Sequence, residues 1–266
     1  MKDRKVIIIT GASRGIGYAC AELLREKGHN VYAISRSGCD LTGINSVICD
    51  VTDENRLKGV IYSIFTAEKR IDALINNAGG GISGSVEKTA AEDAKKLFEL
   101  NFFAGFNAIK YVVPFMRGQK CGKIINIGSV AGSMHVPFQA FYCASKAAVE
   151  ALSNCLRGEL SPFGIKVTTV MPGDTRTGFT DAREKDFKED DPDYGCRISH
   201  SIKLMEQDER NGMSPKKVAQ LVYKAICRKN PKPAYIAGFK YNFFMLLNRI
   251  LPKRFVQFVL NSMYAK

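Results

Sequence analysis

The stretch Val6-Ile7-Ile8-Ile9-Thr10-Gly11-Ala12-Ser13-Arg14-Gly15-Ile16-Gly17 decides how this chain folds. Four β-branched residues in a row read as a buried strand, and three glycines follow at G-x-x-x-G-x-G spacing. A helical stretch then runs to Gly28, and residues 31–35 read as a second strand, which makes a βαβ opening. Glycines between a strand and a helix let backbone approach a pyrophosphate closely. The helix N-terminus adds unpaired N–H groups and the positive end of its dipole. Gly11, Ser13, Arg14, Gly15, Ile16 and Gly17 are therefore candidate contacts to a dinucleotide.

The alternation continues outward from this unit. Residues 46–49, 73–76, 123–128, 166–170 and 234–236 read as further strands, separated by longer segments at helical spacing. Continuous apolar strands between helices imply a parallel sheet covered on both faces. The expectation is an α/β fold: one Rossmann-type, doubly wound parallel sheet of about seven strands with helices on both faces. Residues 1–266 form a single domain in this reading, with 241–266 as a basic and apolar helical extension of it. Residues 36–45 are too short for a helical crossover and read as a loop. Residues 181–194, dense in charge and containing Pro192, read as a mobile excursion outside the core.

The second strand ends in Ser35-Arg36-Ser37, where an NAD-binding unit would place a carboxylate against the ribose 2′-hydroxyl. No acid is available here. The Arg36 guanidinium, with Arg14 in the glycine loop and a serine hydroxyl on each side, suits a 2′-phosphate, so the expected cofactor is NADP(H).

With these residues in view, the chain resembles the short-chain dehydrogenase/reductase family over nearly its whole length. The glycine motif is followed in order by Asp50-Val51, by Asn76-Asn77-Ala78-Gly79, by Ser129 with Tyr142-x-x-x-Lys146, and by Pro172-Gly173. The resemblance implies that Asp50 and Val51 recognise adenine, and that Asn77, Ala78 and Gly79 run beside the cofactor. It implies a catalytic tetrad of Asn101, Ser129, Tyr142 and Lys146, with Tyr142 and Lys146 also touching the cofactor and Asn101 holding a water of a proton relay. Pro172, Gly173, Thr175 and Thr177 would meet the nicotinamide end, although the family more often has an aliphatic residue where Thr175 stands.

The chemistry has its own argument. Reducing a carbonyl requires a proton donor at oxygen while hydride reaches carbon, and tyrosine, with a pKa near 10, is ordinarily too weak an acid. Tyr142 and Lys146 are four apart, so on a helix starting near Gln139 they share a face. The ammonium should then lower the phenol pKa and suit it to acid/base work in both directions. Ser129 would donate to the substrate oxygen.

Met134, Val136, Phe138, Tyr142, Ser129 and Phe179 are the candidate substrate contacts, and they favour a small apolar molecule. Residues 241–264 are both aromatic and basic, and Pro252 should divide them into two short helices. Three readings stay open for them: a lid over the pocket, an oligomer-packing element and a membrane-surface anchor, membrane contact being not favoured. Within the family, the resemblance to hydroxysteroid dehydrogenases makes a hydroxysteroid such as a bile acid the expected substrate. Reduction of 3-oxoacyl or other lipid ketones is the alternative, and a non-catalytic NADPH-binding scaffold is the remote one.

Bulk properties narrow the rest. The 266 residues carry a net charge of +13, and no acidic residue follows Glu209. This cationic block could attract an anionic partner, but no nucleic-acid-binding motif accompanies it, so nucleic acid is not expected. Eight cysteines without a C-x-x-C pair, beside three histidines, point to no metal site and no disulfide framework. Neither an uncharged apolar run of bilayer length nor a signal-like start is seen, so a cytoplasmic protein is expected. A homodimer or homotetramer is implied by the family resemblance.

Overall fold

The computed structural model describes residues 4–185, 187 and 191–265. Within them, seven strands form one parallel sheet in the order β3-β2-β1-β4-β6-β7-β9. These are β1 (Val6–Thr10), β2 (Asn30–Ser35), β3 (Asn45–Ile48), β4 (Ala73–Asn76), β6 (Gly122–Ile127), β7 (Ile165–Pro172) and β9 (Ala234–Ala237). All seven lie where the hydrophobic runs place them, and the 36–45 connection is a loop without a helix.

Strand periodicity explains the two cores. Ile7 and Ile9 of β1 face one way and pack with α1 (Gly15–Glu26) and α7 (Pro215–Cys227). Val6 and Ile8 face the other way and pack with α2 (Glu54–Glu68) and α4 (Ala104–Gln119). Because both faces are covered, the strands need no polar alternation, which is why four consecutive β-branched residues can sit in one of them. The sheet therefore has helices on both faces, as expected. Its order reverses beside β1, between β1 and β4, and at such a switch point a crevice opens beyond the carboxyl ends of the strands.

Local signals set the helix ends. Asp53 caps α2 by accepting from the Arg56 amide at 2.9 Å, and Ser214 caps α7 with Pro215 at its first position. Between α3 (Ala91–Phe98) and α4, residues Glu99–Phe103 form a π-helical segment instead of plain helix. That extra residue in the turn turns Asn101 inward, where it is buried.

One expectation is corrected. The 181–194 excursion is not a free loop in the residues described: β8 (Glu184–Lys185) pairs in parallel with β5 (Ile82–Ser83). Arg183 is buried in front of that strand and ion-pairs with Glu209 of α6 (Gly195–Arg210). Its residues 186 and 188–190 lie outside the described set. The charge that marks the segment as surface is partly spent on this buried pair.

Replacing Ile8 by Ala should cost about 2–5 kcal/mol, because the side chain is fully buried between β-strand neighbours and α2. Urea unfolding followed by circular dichroism checks this. A loss well under 1 kcal/mol would contradict the packing described.

Candidate active site

The glycine loop is built for close approach. Gly11 has φ +68°, and a Cβ there would lie 2.7 Å from the Ala78 Cα. A Cβ on Gly17 would lie 2.3 Å from the Gly11 carbonyl oxygen, so neither position accepts a side chain. The Asn77 amide donates to the Thr10 carbonyl at 3.1 Å and to the Gly11 carbonyl at 2.9 Å, tying the loop to the end of β4. At the start of α1 no side chain caps the first turn and no acid stands in it, so its N–H groups face the crevice free of a competing anion. This cradle fits a dinucleotide pyrophosphate.

At the adenosine end, Arg14, Arg36 and Ser37 line the same cavity as Asp50 and Val51. The Ser35 hydroxyl donates to the Gly38 carbonyl at 2.8 Å, so of the two serines only Ser37 keeps an uncommitted donor for a phosphate. Asp50 accepts from the Thr52 amide at 3.0 Å and hydroxyl at 2.8 Å. The amide bond first, with the hydroxyl bond and the nearby Arg36, holds its carboxyl below the usual range against the effect of burial.

Tyr142 and Lys146 project from α5 (Ala140–Leu160), which starts one residue after Gln139. Both are buried. The Ser129 hydroxyl lies close enough to the Tyr142 phenol to favour its ionised form, and the Lys146 ammonium lies 5.9 Å from the ring centroid while donating to the Ile127 carbonyl at 3.1 Å. Asn101 accepts from the Gly80 amide at 2.8 Å and donates to the Gly80 carbonyl and the Ser145 hydroxyl, each at 3.0 Å. Ser145 in turn donates to the Tyr142 carbonyl at 2.8 Å. The four tetrad residues are thus brought together, Asn101 as a buried brace behind the cavity wall.

The electrostatics correct one expectation. Burial pushes the Tyr142 phenol up to about 12 and the Lys146 amine down to about 8, each toward its neutral form. The i, i+4 spacing is present, but the Lys146 ammonium donates to the Ile127 carbonyl, and desolvation is the largest influence on the phenol. A low phenol pKa is therefore not a property of this pair on its own.

The cavity, of about 800 Å³, runs from the glycine loop past Tyr142 to the C-terminal helices α8 (Phe239–Ile250) and α9 (Lys253–Tyr264). Pro172, Gly173, Thr175 and Thr177 line it between the two ends. Met134, Val136 and Phe179 are on its wall, Phe179 with its ring centroid 5.7 Å from that of Tyr142. Phe138 is not. Its backbone has φ +62°, and its ring packs with Ile198, Ile202 and Tyr194 beside α6, so its nearness to Ser129 in sequence misleads.

Sequence reasoning missed several wall residues: Gln139, Met205, Glu209, Asp174 and Tyr241. Tyr241 packs its ring over Gly173, where a Cβ would lie within 2.1 Å of it, and donates its hydroxyl to the Asp174 carboxylate. No motif marks Met205, Glu209 and Tyr241, since α6 and α8 reach the site only through the tertiary fold.

A dinucleotide cradle at the strand ends and a tyrosine–lysine–serine group beside it define an oxidoreductase site. The profile of the short chain dehydrogenase family matches residues 5–188, and the chain belongs to that family. It is 39% identical over 264 residues to the 3-ketodihydrosphingosine reductase of Bacteroides thetaiotaomicron, covering 98% of each chain. Among solved structures, a short-chain dehydrogenase from Streptomyces avermitilis is similar with a TM-score of 0.84 and 28% identity over 94% of both chains. A short-chain dehydrogenase/reductase from Burkholderia phymatum in complex with NAD is similar with a TM-score of 0.79 and 25% identity, over 93% of this chain and 92% of that one.

Lys146 has a sign that can be measured. Its folded pKa of about 8 lies below the ordinary 10.5, so the folded protein binds fewer protons than the unfolded chain between those values. Below pH about 8 the full cost of a buried charge is carried, and stability contributed by this residue should rise between pH 8 and pH 10.5. Thermal unfolding of the cofactor-free protein should show the wild type gaining on Lys146→Met across that window. A constant difference would contradict the burial of the amine.

Proposed function

We propose that this protein is an NADPH-dependent reductase of a ketone carried on a long-chain lipid, of the 3-ketodihydrosphingosine class. The observation that carries the reading is the continuity of the cavity. Its reactive end holds Ser129 and Tyr142, and its far end is walled by Phe244 and Leu247 of α8, Leu251 between the helices, and Val256 and Leu260 of α9. A polar headgroup with an alkyl chain fits that division better than a rigid apolar body. The relative from Bacteroides thetaiotaomicron supports the same class, and none of the relatives described supports the hydroxysteroid expectation.

In this reading the bound NADPH supplies hydride to the carbonyl carbon. Ser129 and Tyr142 hold the carbonyl oxygen, and the Tyr142 phenol, protonated near neutral pH, donates the proton. Lys146 and Asn101 meet beside Gly79, where a Cβ would lie 3.1 Å from the Asn101 Oδ1 and 3.5 Å from the Lys146 Nζ. A proton returning to the phenol would pass that point. The family's usual homodimer or homotetramer is carried over with the reading.

NADPH absorbance, followed with 3-ketodihydrosphingosine, tests the reading. Tyr142→Phe should keep NADPH binding and lose turnover by about a hundredfold or more; unchanged turnover would remove Tyr142 from the mechanism. The preference for NADPH rests on Arg36 and Arg14. Arg36→Asp should raise the KM for NADPH about 10–100-fold, as expected for one lost charge-assisted bond, and narrow the gap to NADH. Equal use of both cofactors by the wild type would contradict this part.

A further inference from the structure

We propose that the C-terminal helix pair docks on a lipid bilayer carrying anionic headgroups, with the mouth of the cavity facing that bilayer. The docking rests on the surface alone; only the route of substrate entry rests on the lipid-ketone reading.

Helix α8 has two apolar faces. Tyr241, Phe244, Leu247 and Leu251 at its end turn inward and line the cavity. Phe239, Phe243, Leu246 and Ile250 recur at intervals of four, three and four, and this second stripe is exposed to solvent, Phe239 to 92%. On α9, Phe255, Phe258, Val259 and Met263 continue the exposed stripe. A contiguous set of large apolar side chains of this kind marks a binding surface.

What covers the surface is indicated by its charge. Lys240, Arg249, Lys253 and Arg254 are exposed on the same two helices, and no acidic residue follows Glu209 in the chain. A second copy of this face would bring like charges together, whereas anionic headgroups pair with the cations while acyl chains receive the phenylalanines. Among the described residues no helix is long and apolar enough to cross a membrane, so the pair would lie in the interface plane. Phe255, Val259 and Met263 are both exposed and on the cavity wall, which puts the opening within the docking face. A lipid ketone could then enter without its alkyl chain crossing water.

Flotation of the full-length protein with vesicles tests this, using phosphatidylcholine alone or mixed with phosphatidylglycerol. The protein should float with the mixed vesicles, and the bound fraction should fall severalfold with phosphatidylcholine alone or in high salt. The double variant Phe243→Ser/Phe258→Ser replaces no residue of the cavity wall. It should lose at least tenfold in vesicle partition while still binding NADPH. Lys253→Glu/Arg254→Glu, which alters no apolar packing, should also lose binding. Absence of flotation, or flotation unchanged in both variants, would overturn the proposal. So would a wild-type oligomer that dissociates in the Phe243→Ser/Phe258→Ser variant, since that would assign the face to a second copy. Neither arm measures turnover, so failure of the lipid-ketone reading would leave the docking result standing.

Discussion

The Asn77 side-chain amide, donating at once to the carbonyls of Thr10 and Gly11, is the constraint on which the site depends. It closes the end of β4 onto the end of β1 at the point where the sheet order reverses, and the Asn77 amide N–H adds a bond to the Thr10 hydroxyl at 3.0 Å. The glycine loop is thereby held against the sheet with its open side toward the crevice. Gly17 follows from this clip, because any Cβ there would strike both the Gly11 carbonyl and the Asn77 amide. The first turn of α1 is left pointing into the cavity, and an anion placed there meets backbone N–H groups that nothing else satisfies.

From that fixed edge the site grows in one direction. The tyrosine and lysine sit on one face of α5, braced from behind by Asn101 through Ser145, so their positions are set by buried polar bonds. Burial then does two things. It makes the phenol a weaker acid than an ordinary tyrosine, and it discourages the charge on Lys146 until something in the cavity stabilises it. The acid/base pair is in this sense incomplete by itself, and its balance depends on what charge is bound beside it. Beyond Tyr142 the wall turns apolar, and the chain's last two helices close the cavity with one face while leaving the other in solvent.

Much of this was legible in the sequence, for identifiable reasons. The central strands, β1 and β4 above all, are short and apolar because both faces of the sheet are covered there, and such runs do not read as amphipathic helix. The glycine loop was legible because a close backbone approach forces glycine at fixed spacing, and the tetrad was legible through the family resemblance. What escaped is what only tertiary contact decides. Phe138 follows Ser129 closely, yet a left-handed backbone turns its ring toward α6. Glu209 and Tyr241 come from helices remote in sequence, without a motif. The ladder of β5 and β8 is two residues long, too short for any periodicity, and Arg183 looked like one more surface charge until Glu209 was placed against it. The phenol pKa was misjudged for a related reason: spacing shows that a lysine is near, but not how much water both groups have lost.

The account stands or falls on the cavity as a site for an alkyl chain, and the direct measurement is kcat/KM for a series of 2-amino-3-ketones of increasing chain length. Each methylene buried against α8 and α9 contributes about 0.8 kcal/mol, so kcat/KM should rise severalfold per added carbon until the cavity is filled, then level off. A value independent of chain length would show that the far end of the cavity does not hold substrate, and would contradict the account.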